Sequence, residues 1–170
     1  MSKLKSDCFM KKSLGWIKWK LYWQNQSPLK RREPWFCKPA IKWLKNMDIS
    51  KFRILEYGGG GSTLYFSDRC ESVETIEKTK IWQRIICTKL RNANHCFVEK
   101  PSGEYDLILI DSIRNRKKEF RIAKEFVKKG GIIIFDNIDR YPEARQEMVV
   151  EFKGWASDRA GLTCTGVWIK

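Results

Sequence analysis

Residues Arg53-Ile54-Leu55-Glu56-Tyr57-Gly58-Gly59-Gly60-Gly61-Ser62-Thr63-Leu64 decide the fold. The run from Arg53 to Tyr57 predicts a compact strand, four glycines end it, and a short helix starts at Ser62. Glycines lack side chains, so a ligand can approach their backbone N–H groups closely, and the helix start adds a partial positive charge. A carboxylate or phosphate suits such a turn. Glycines alone are also satisfied by a flexible strand-to-helix turn, so the rest of the chain has to decide.

Downstream, Val73 to Glu77 predicts a second strand, and Lys80 to about Asn92 a helix with Ile81, Ile85, Ile86 and Leu90 on one face. Cys96 to Glu99 is a short third strand. Tyr105–Ile110 and Ile132–Phe135 are continuous apolar runs, ended by Asp111 and by Asp136-Asn137. Strands apolar on both faces belong in a covered, mostly parallel sheet. Between them Lys117 to Lys129 reads as an amphipathic helix, with Phe120, Ala123, Phe126 and Val127 inward and Gly130-Gly131 as its stop. Met148 to Phe152 and Thr163 to Ile169 are joined by a segment too short for a helical crossover, which predicts an antiparallel pair. The expected fold is α/β: a Rossmann-like, mostly parallel sheet with a C-terminal antiparallel strand pair and helices on both faces.

Upstream, Pro39 to Met47 predicts a short helix with Ile41 and Leu44 on one face. Residues 1–33 mix lysines with Trp16, Trp19 and Trp23 and read as a basic, Trp-rich arm; residues 34–170 form one domain. The chain has 170 residues and a formal net charge of +14, and residues 1–32 carry nine Lys and Arg against the single acid Asp7. More than half of the excess charge therefore sits in the arm, which argues against a basic groove spanning the whole fold. Aromatics interleaved with cations suit RNA or an anionic membrane surface, and equally a flap packed over the domain. Lysines at 11, 12, 18 and 20 break every apolar run, so neither a signal core nor a membrane span is expected. Six cysteines without a C-x-x-C pair and the sole histidine, His95, leave a structural zinc site without its spacing. Reduced thiols and no secretory pattern point to the cytoplasm.

In an open α/β sheet, ligands collect at the carboxyl ends of the strands where the strand order reverses. Glu77, an acid ending the second strand, stands where a ribose diol would be held. At this point a resemblance emerges. Ile54 to Leu64 resembles the first motif of class I S-adenosylmethionine-dependent methyltransferases, in the branch reading E-Y-G-x-G-x-S-T-L. Val73-Glu74-Thr75-Ile76-Glu77 resembles the second motif, and Ile110-Asp111 with Gly130 to Asn137 resembles those of strands four and five. Pro34-Trp35-Phe36 and Pro39-Ala40-Ile41 resemble the segment preceding this domain.

The resemblance, spanning about residues 34–170, implies that S-adenosylmethionine is held by Glu56, Gly58, Gly59, Gly60, Ser62 and Thr63 at its methionine end. It also implies Glu77 at the ribose and Asp111 nearby. Ser112 stands where a glycine often follows, and Lys78-Thr79-Lys80 replaces a commoner acidic turn. A dinucleotide dehydrogenase is the rival in this fold, but Thr63 replaces the third glycine of G-x-G-x-x-G and the chain leaves no room for a substrate domain.

Methyl transfer needs an acceptor held in line and, for a hydroxyl, a base or a cation to take or weaken its proton. Asp111, Asp136 and Arg114 are the expected catalytic residues. Asp111, Asp136 and Asn137 can also converge on a hard cation such as Mg²⁺, an arrangement resembling the metal site of catechol-type O-methyltransferases. A helix cap at Asp111 or Ser112 and an Asx turn at Asn137 are the plainer uses of these residues. Arg114 and Arg116 suit an anionic acceptor, or solvent. No Asp/Asn-Pro-Pro-aromatic motif follows strand four, which disfavours amino methylation of nucleic-acid bases. The expected activity is O-methylation of a small molecule or a sugar. The competing reading is a non-catalytic module that binds RNA or an anionic membrane through its arm.

Overall fold

The computed structural model describes residues 27–156 and 161–170. The tryptophan-rich part of the arm, residues 1–26, lies outside them, as do residues 157–160. Helices α1 (Pro28–Arg31) and α2 (Lys38–Lys45) precede strand β1 (Arg53–Tyr57). There follow α3 (Gly61–Ser67), β2 (Ser72–Ile76), α4 (Lys80–Cys87), β3 (His95–Phe97), β4 (Tyr105–Ile110), α5 (Arg116–Phe126) and β5 (Val127–Asp136). A 3-10 turn (Ile138–Arg140), α6 (Pro142–Arg145), β6 (Val150–Trp155) and β7 (Leu162–Ile169) complete the described chain.

The seven strands form one sheet in the order β3-β2-β1-β4-β5-β7-β6. Strands β1 to β5 pair in parallel, and β7 runs antiparallel between β5 and β6. The expected Rossmann-like sheet is thus present. Alternate side chains of β1 and β4 feed opposite layers, as the period of two requires. Ile54, Leu107 and Leu109 meet Ile41 and Leu44 of α2 and Tyr65 and Phe66 of α3 on one face. Leu55, Ile108 and Ile110 meet Phe120 and Ala123 of α5 on the other. Covering both faces is what allows these strands to be apolar throughout.

Three local expectations change. Helix α4 ends at Cys87 rather than near Asn92, and of its expected apolar face Ile86 is buried while Ile81 is 70% exposed. Ile86 packs under the glycine turn, its Cδ1 2.7 Å from where a Cβ at Gly59 would stand. Helix α5 ends at Phe126, because Val127 is already extended and pairs with Tyr105 of β4. Gly130, at φ +77°, therefore marks an irregularity inside β5 rather than a helix stop. Finally, the described end of the segment assigned to the arm packs on the domain. Pro28 is buried, and Arg32 grips Asp68 at the end of α3 through Nε and Nη2, both at 2.6 Å.

Among the described cysteines none is paired: Cys37, Cys70 and Cys164 are buried, Cys87 and Cys96 exposed. Among the described residues no helix is long and apolar enough to cross a membrane.

Candidate active site

Strand order reverses between β1 and β4, and their carboxyl ends touch. A Cβ on Gly58, which sits at φ +90°, would stand 2.7 Å from the backbone oxygen of Asp111 and 2.8 Å from Cα of Ser112. Only glycine satisfies both the conformation and the space. Asp111 returns a backbone hydrogen bond to Tyr57 at 2.9 Å, closing the junction.

Above this junction lies a cavity of about 510 Å³, within the usual range for small-molecule sites of roughly 300–1,000 Å³. Its floor is Gly58, Gly59, Gly60, Gly61 and Ser62, with Asp111, Asp136 and Asn137 from the β4 and β5 ends. Pro28 and Leu29, Trp35, Trp82, Ile113 and Leu162 supply apolar wall. Ile113 is 93% exposed at the cavity's rim. Backbone from the arm segment closes one side: a Cβ on Gly61 would fall 2.2 Å from the oxygen of Glu33 and 2.6 Å from that of Pro28. By contrast a Cβ on Gly60 would meet nothing within 4 Å, so the cradle is open there.

Not every expected cofactor residue is on the wall. Glu56 is fully buried behind it, accepting hydrogen bonds from the hydroxyls of Ser62, Thr63 (2.5 Å) and Thr75 (3.1 Å). Burial pushes its carboxyl up to about 7 against those three donors, which favour the charged form. Thr63 in turn accepts from the Gly60 N–H at 2.8 Å. Glu56 and Thr63 thus brace the glycine turn from beneath. Glu77 sits at the margin, half-buried, accepting from the N–H of Gly59 at 3.2 Å and of Thr79 at 2.7 Å.

The acids at the other strand ends surround a cation supplied by the chain. Arg116, 9% exposed, donates from Nη2 to Asp111 Oδ1 at 2.8 Å and from Nε to the Ser112 backbone oxygen at 2.5 Å. Its Nη1 donates to the backbone oxygen of Asp136 and to Asn137 Oδ1 at 3.2 Å. Asp136 Oδ1 accepts from Thr165 Oγ1 at 2.9 Å, and Asn137 Nδ2 donates to Thr163 at 2.7 Å. The residues therefore do not fit the expected Mg²⁺: the guanidinium bridges Asp111 and Asn137, and one Asp136 oxygen is taken by Thr165 of β7. Among the described residues no group of three or more His, Cys, Asp or Glu side chains is placed to hold a metal ion.

Burial raises the pKa of both acids, and the proximity of Asp111 raises Asp136 further; Arg116 counters this more strongly at Asp111. Neither Asp111 nor Ser112 caps α5, whose N-cap is Asn115. Instead the Ser112 hydroxyl reaches Glu119 Oε2 at 2.5 Å. Arg114 is exposed and its side chain is not on the cavity wall, contrary to its expected catalytic place. Tyr141 packs on Phe135 with ring centroids 5.1 Å apart, whereas Arg140 beside it reaches the cavity.

Trp82 and Thr163 on the wall, and Thr165 against Asp136, escaped the sequence reading. The indole Nε1 of Trp82 donates to the Gly59 oxygen at 2.6 Å; an aromatic five residues past the strand-two acid was the available signal. Thr163 and Thr165 of β7 have no signal beyond alternation along that strand.

No protein-family model and no curated protein matches the chain. Solved structures do. The O-methyltransferase TomG from Streptomyces achromogenes, in complex with SAM, superposes with a TM-score of 0.59 at 14% identity, over 72% of this chain and 75% of that one. An O-methyltransferase from Bacillus cereus in complex with SAH gives 0.56 at 16%, over 69% and 74%. Precorrin 8w decarboxylase from Methanobacterium thermoautotrophicum gives 0.60 at 16%, over 75% and 87%. A SAM-dependent methyltransferase from Streptococcus mutans and a methyltransferase complexed with SAH are longer chains, of which the match covers 46% and 47%. A decarboxylase among methyltransferases shows that the fold by itself does not fix the reaction. The sheet order and these superpositions together give the chain the fold of the S-adenosylmethionine-dependent methyltransferases.

Proposed function

We propose that the chain is an S-adenosylmethionine-dependent methyltransferase that methylates a hydroxyl of a small molecule or sugar. The observation that carries this reading is the single cavity wall that joins the glycine turn after β1 to Asp111 and Asp136 after β4 and β5. The glycine turn fits the cofactor's methionine end: it carries no side chains, the Gly60 side is open, and Glu56, Thr63 and Glu77 hold it in shape. Gly58 to Ser62 would hold that end, and Trp82 and Ile113 would offer apolar faces to the adenosine. When bound, the cofactor supplies an electrophilic methyl group on a sulfonium.

The chain's own work is positioning and proton removal. Leu29, Trp35 and Leu162 flank the acceptor and keep water from it. Asp136, raised by its burial and by Asp111, suits a base that takes the acceptor's proton close to neutral pH. Thr165 fixes one of its carboxylate oxygens, leaving the group oriented on the cavity wall. Asp111, held by Arg116, shapes the floor beside it. Arg114 has no part in this scheme.

Calorimetric titration with S-adenosylhomocysteine tests the reading. Micromolar binding that is lost in Gly58→Val supports it, and no binding to the wild-type chain refutes it. Incubation with labelled methyl donor and a panel of hydroxylated metabolites then identifies the acceptor.

A further inference from the structure

Resting on the methyltransferase reading, we infer that Arg116 is the resident cation of this site: its guanidinium occupies the position between Asp111 and Asn137 that a divalent ion would need, so the site works without one. Four oxygens converge on this one side chain, from Asp111, Ser112, the Asp136 backbone and Asn137. They belong to the two loops that leave β4 and β5, so Arg116 fixes the distance between those loops. A planar donor array matches that role, since separate N–H groups point at separate acceptors in fixed directions.

Charge completes the argument. Asp111 lies close enough to raise the pKa of Asp136, and the two carboxylates without a counter-ion would repel. The side chain of Arg116 is 10% exposed and pairs with Asp111 at 2.8 Å, which places a permanent positive charge at the acids. A Mg²⁺ or Mn²⁺ ion bound to Asp111 and Asn137 would have to displace that guanidinium or sit against it. Lysine would not replace it, because one ammonium cannot span both loops with the same directions. Arg116 is therefore a positioning residue: it carries no proton in the reaction and holds the acids that line the cavity.

Mn²⁺ binding to the full chain, read by electron paramagnetic resonance of the free ion, tests this separately from any turnover. Wild type is expected to bind no Mn²⁺ at millimolar ion, whereas Arg116→Ala gains a site that a second change, Asp111→Asn, removes. Should Arg116→Ala lose its cooperative melting transition, Arg116→Gln is carried through the same titration. A wild-type Mn²⁺ site that disappears in Asp111→Asn overturns the inference, as does a folded Arg116 variant that binds no Mn²⁺. S-adenosylhomocysteine calorimetry on the same wild-type sample keeps the two ideas apart: failure to bind it refutes the methyltransferase reading, whatever the Mn²⁺ result.

Discussion

Gly58 and Asp111, 53 residues apart in sequence, meet so closely that a single methyl group at residue 58 would lie 2.7 Å from the Asp111 oxygen. The neighbour is backbone, which cannot swing away as a side chain can. Gly58→Ala must therefore pay twice: about 1 kcal/mol or more for a left-handed Ala, and about 1–3 kcal/mol for forcing the β1 and β4 ends apart. Thermal unfolding is expected to report a loss of at least about 2 kcal/mol, with S-adenosylhomocysteine affinity falling at least tenfold. A variant as stable as wild type would mean that the two loops separate easily.

The sequence showed the layout of the sheet because its signals are local: apolar runs at Tyr105–Ile110 and Ile132–Phe135, and glycines that stop β1. Acids at strand ends could be named for the same reason. What stayed hidden depends on pairing across the sheet or on side-chain direction. Val127 reads as the last turn of a helix until Tyr105 is seen beside it. Glu56 reads as a ligand contact, yet its strand position turns it inward to three hydroxyls. Arg116 reads as a contact for an anionic acceptor or as a solvated charge, and only the fold brings Asn137, 21 residues on, to its guanidinium.

Glu56 gives a pH prediction of definite sign. Its pKa rises from the ordinary 4.5 to about 7 on folding, so its contribution to stability is full below pH 4.5 and is lost as pH rises toward 7. A shift of that size corresponds to on the order of 3 kcal/mol. His95 works the other way: burial lowers it to about 4, so stability is lost as pH falls from its ordinary 6.5. The two offset each other in wild type, and the comparison with Glu56→Gln separates them. The variant is expected to gain on wild type steadily between pH 4.5 and 7 in denaturant titrations; parallel curves would show that Glu56 stays ionised.

Truncation separates the arm from the packed chain. Removing residues 1–26 is expected to leave a cooperative melting transition, because the strands that carry both core layers begin only at Arg53. Removing residues 1–33 also removes the Arg32 grip on Asp68 and on the Lys89 oxygen, at 2.6 and 2.7 Å, and uncovers Gly61. A bidentate, partly buried pair of this kind is worth about 1–3 kcal/mol. The longer deletion should melt several degrees lower, and equal melting temperatures would show that residues 27–33 add nothing to the core.

Trp82 holds the glycine turn by its indole N–H and walls the cavity with its ring. Trp82→Phe keeps most of the wall and loses the hydrogen bond, while Trp82→Ala loses both. Calorimetry with S-adenosylhomocysteine is expected to show a loss of about threefold to tenfold for Phe and a further drop for Ala. Equal affinities across the three proteins would take Trp82 out of the site.

The last prediction concerns the proposed base. Asp136→Asn keeps the size of the side chain and an oxygen for Thr165, so the fold and the cavity floor should survive. Cofactor affinity should change little, because the glycine turn lies on the far side of Asp111 from Asp136. Turnover, by contrast, should fall by about 10²–10⁴, the usual contribution of a positioned base. The pH profile supplies the sharper readout. A base acts only when ionised, and burial beside Asp111 raises the pKa of Asp136, so wild-type turnover should climb with pH through a midpoint above the ordinary carboxylate range. In Asp136→Asn the residual rate should lose that limb. If the limb persists unchanged in the variant, the titrating group is another residue, and Asp111 is the next to replace.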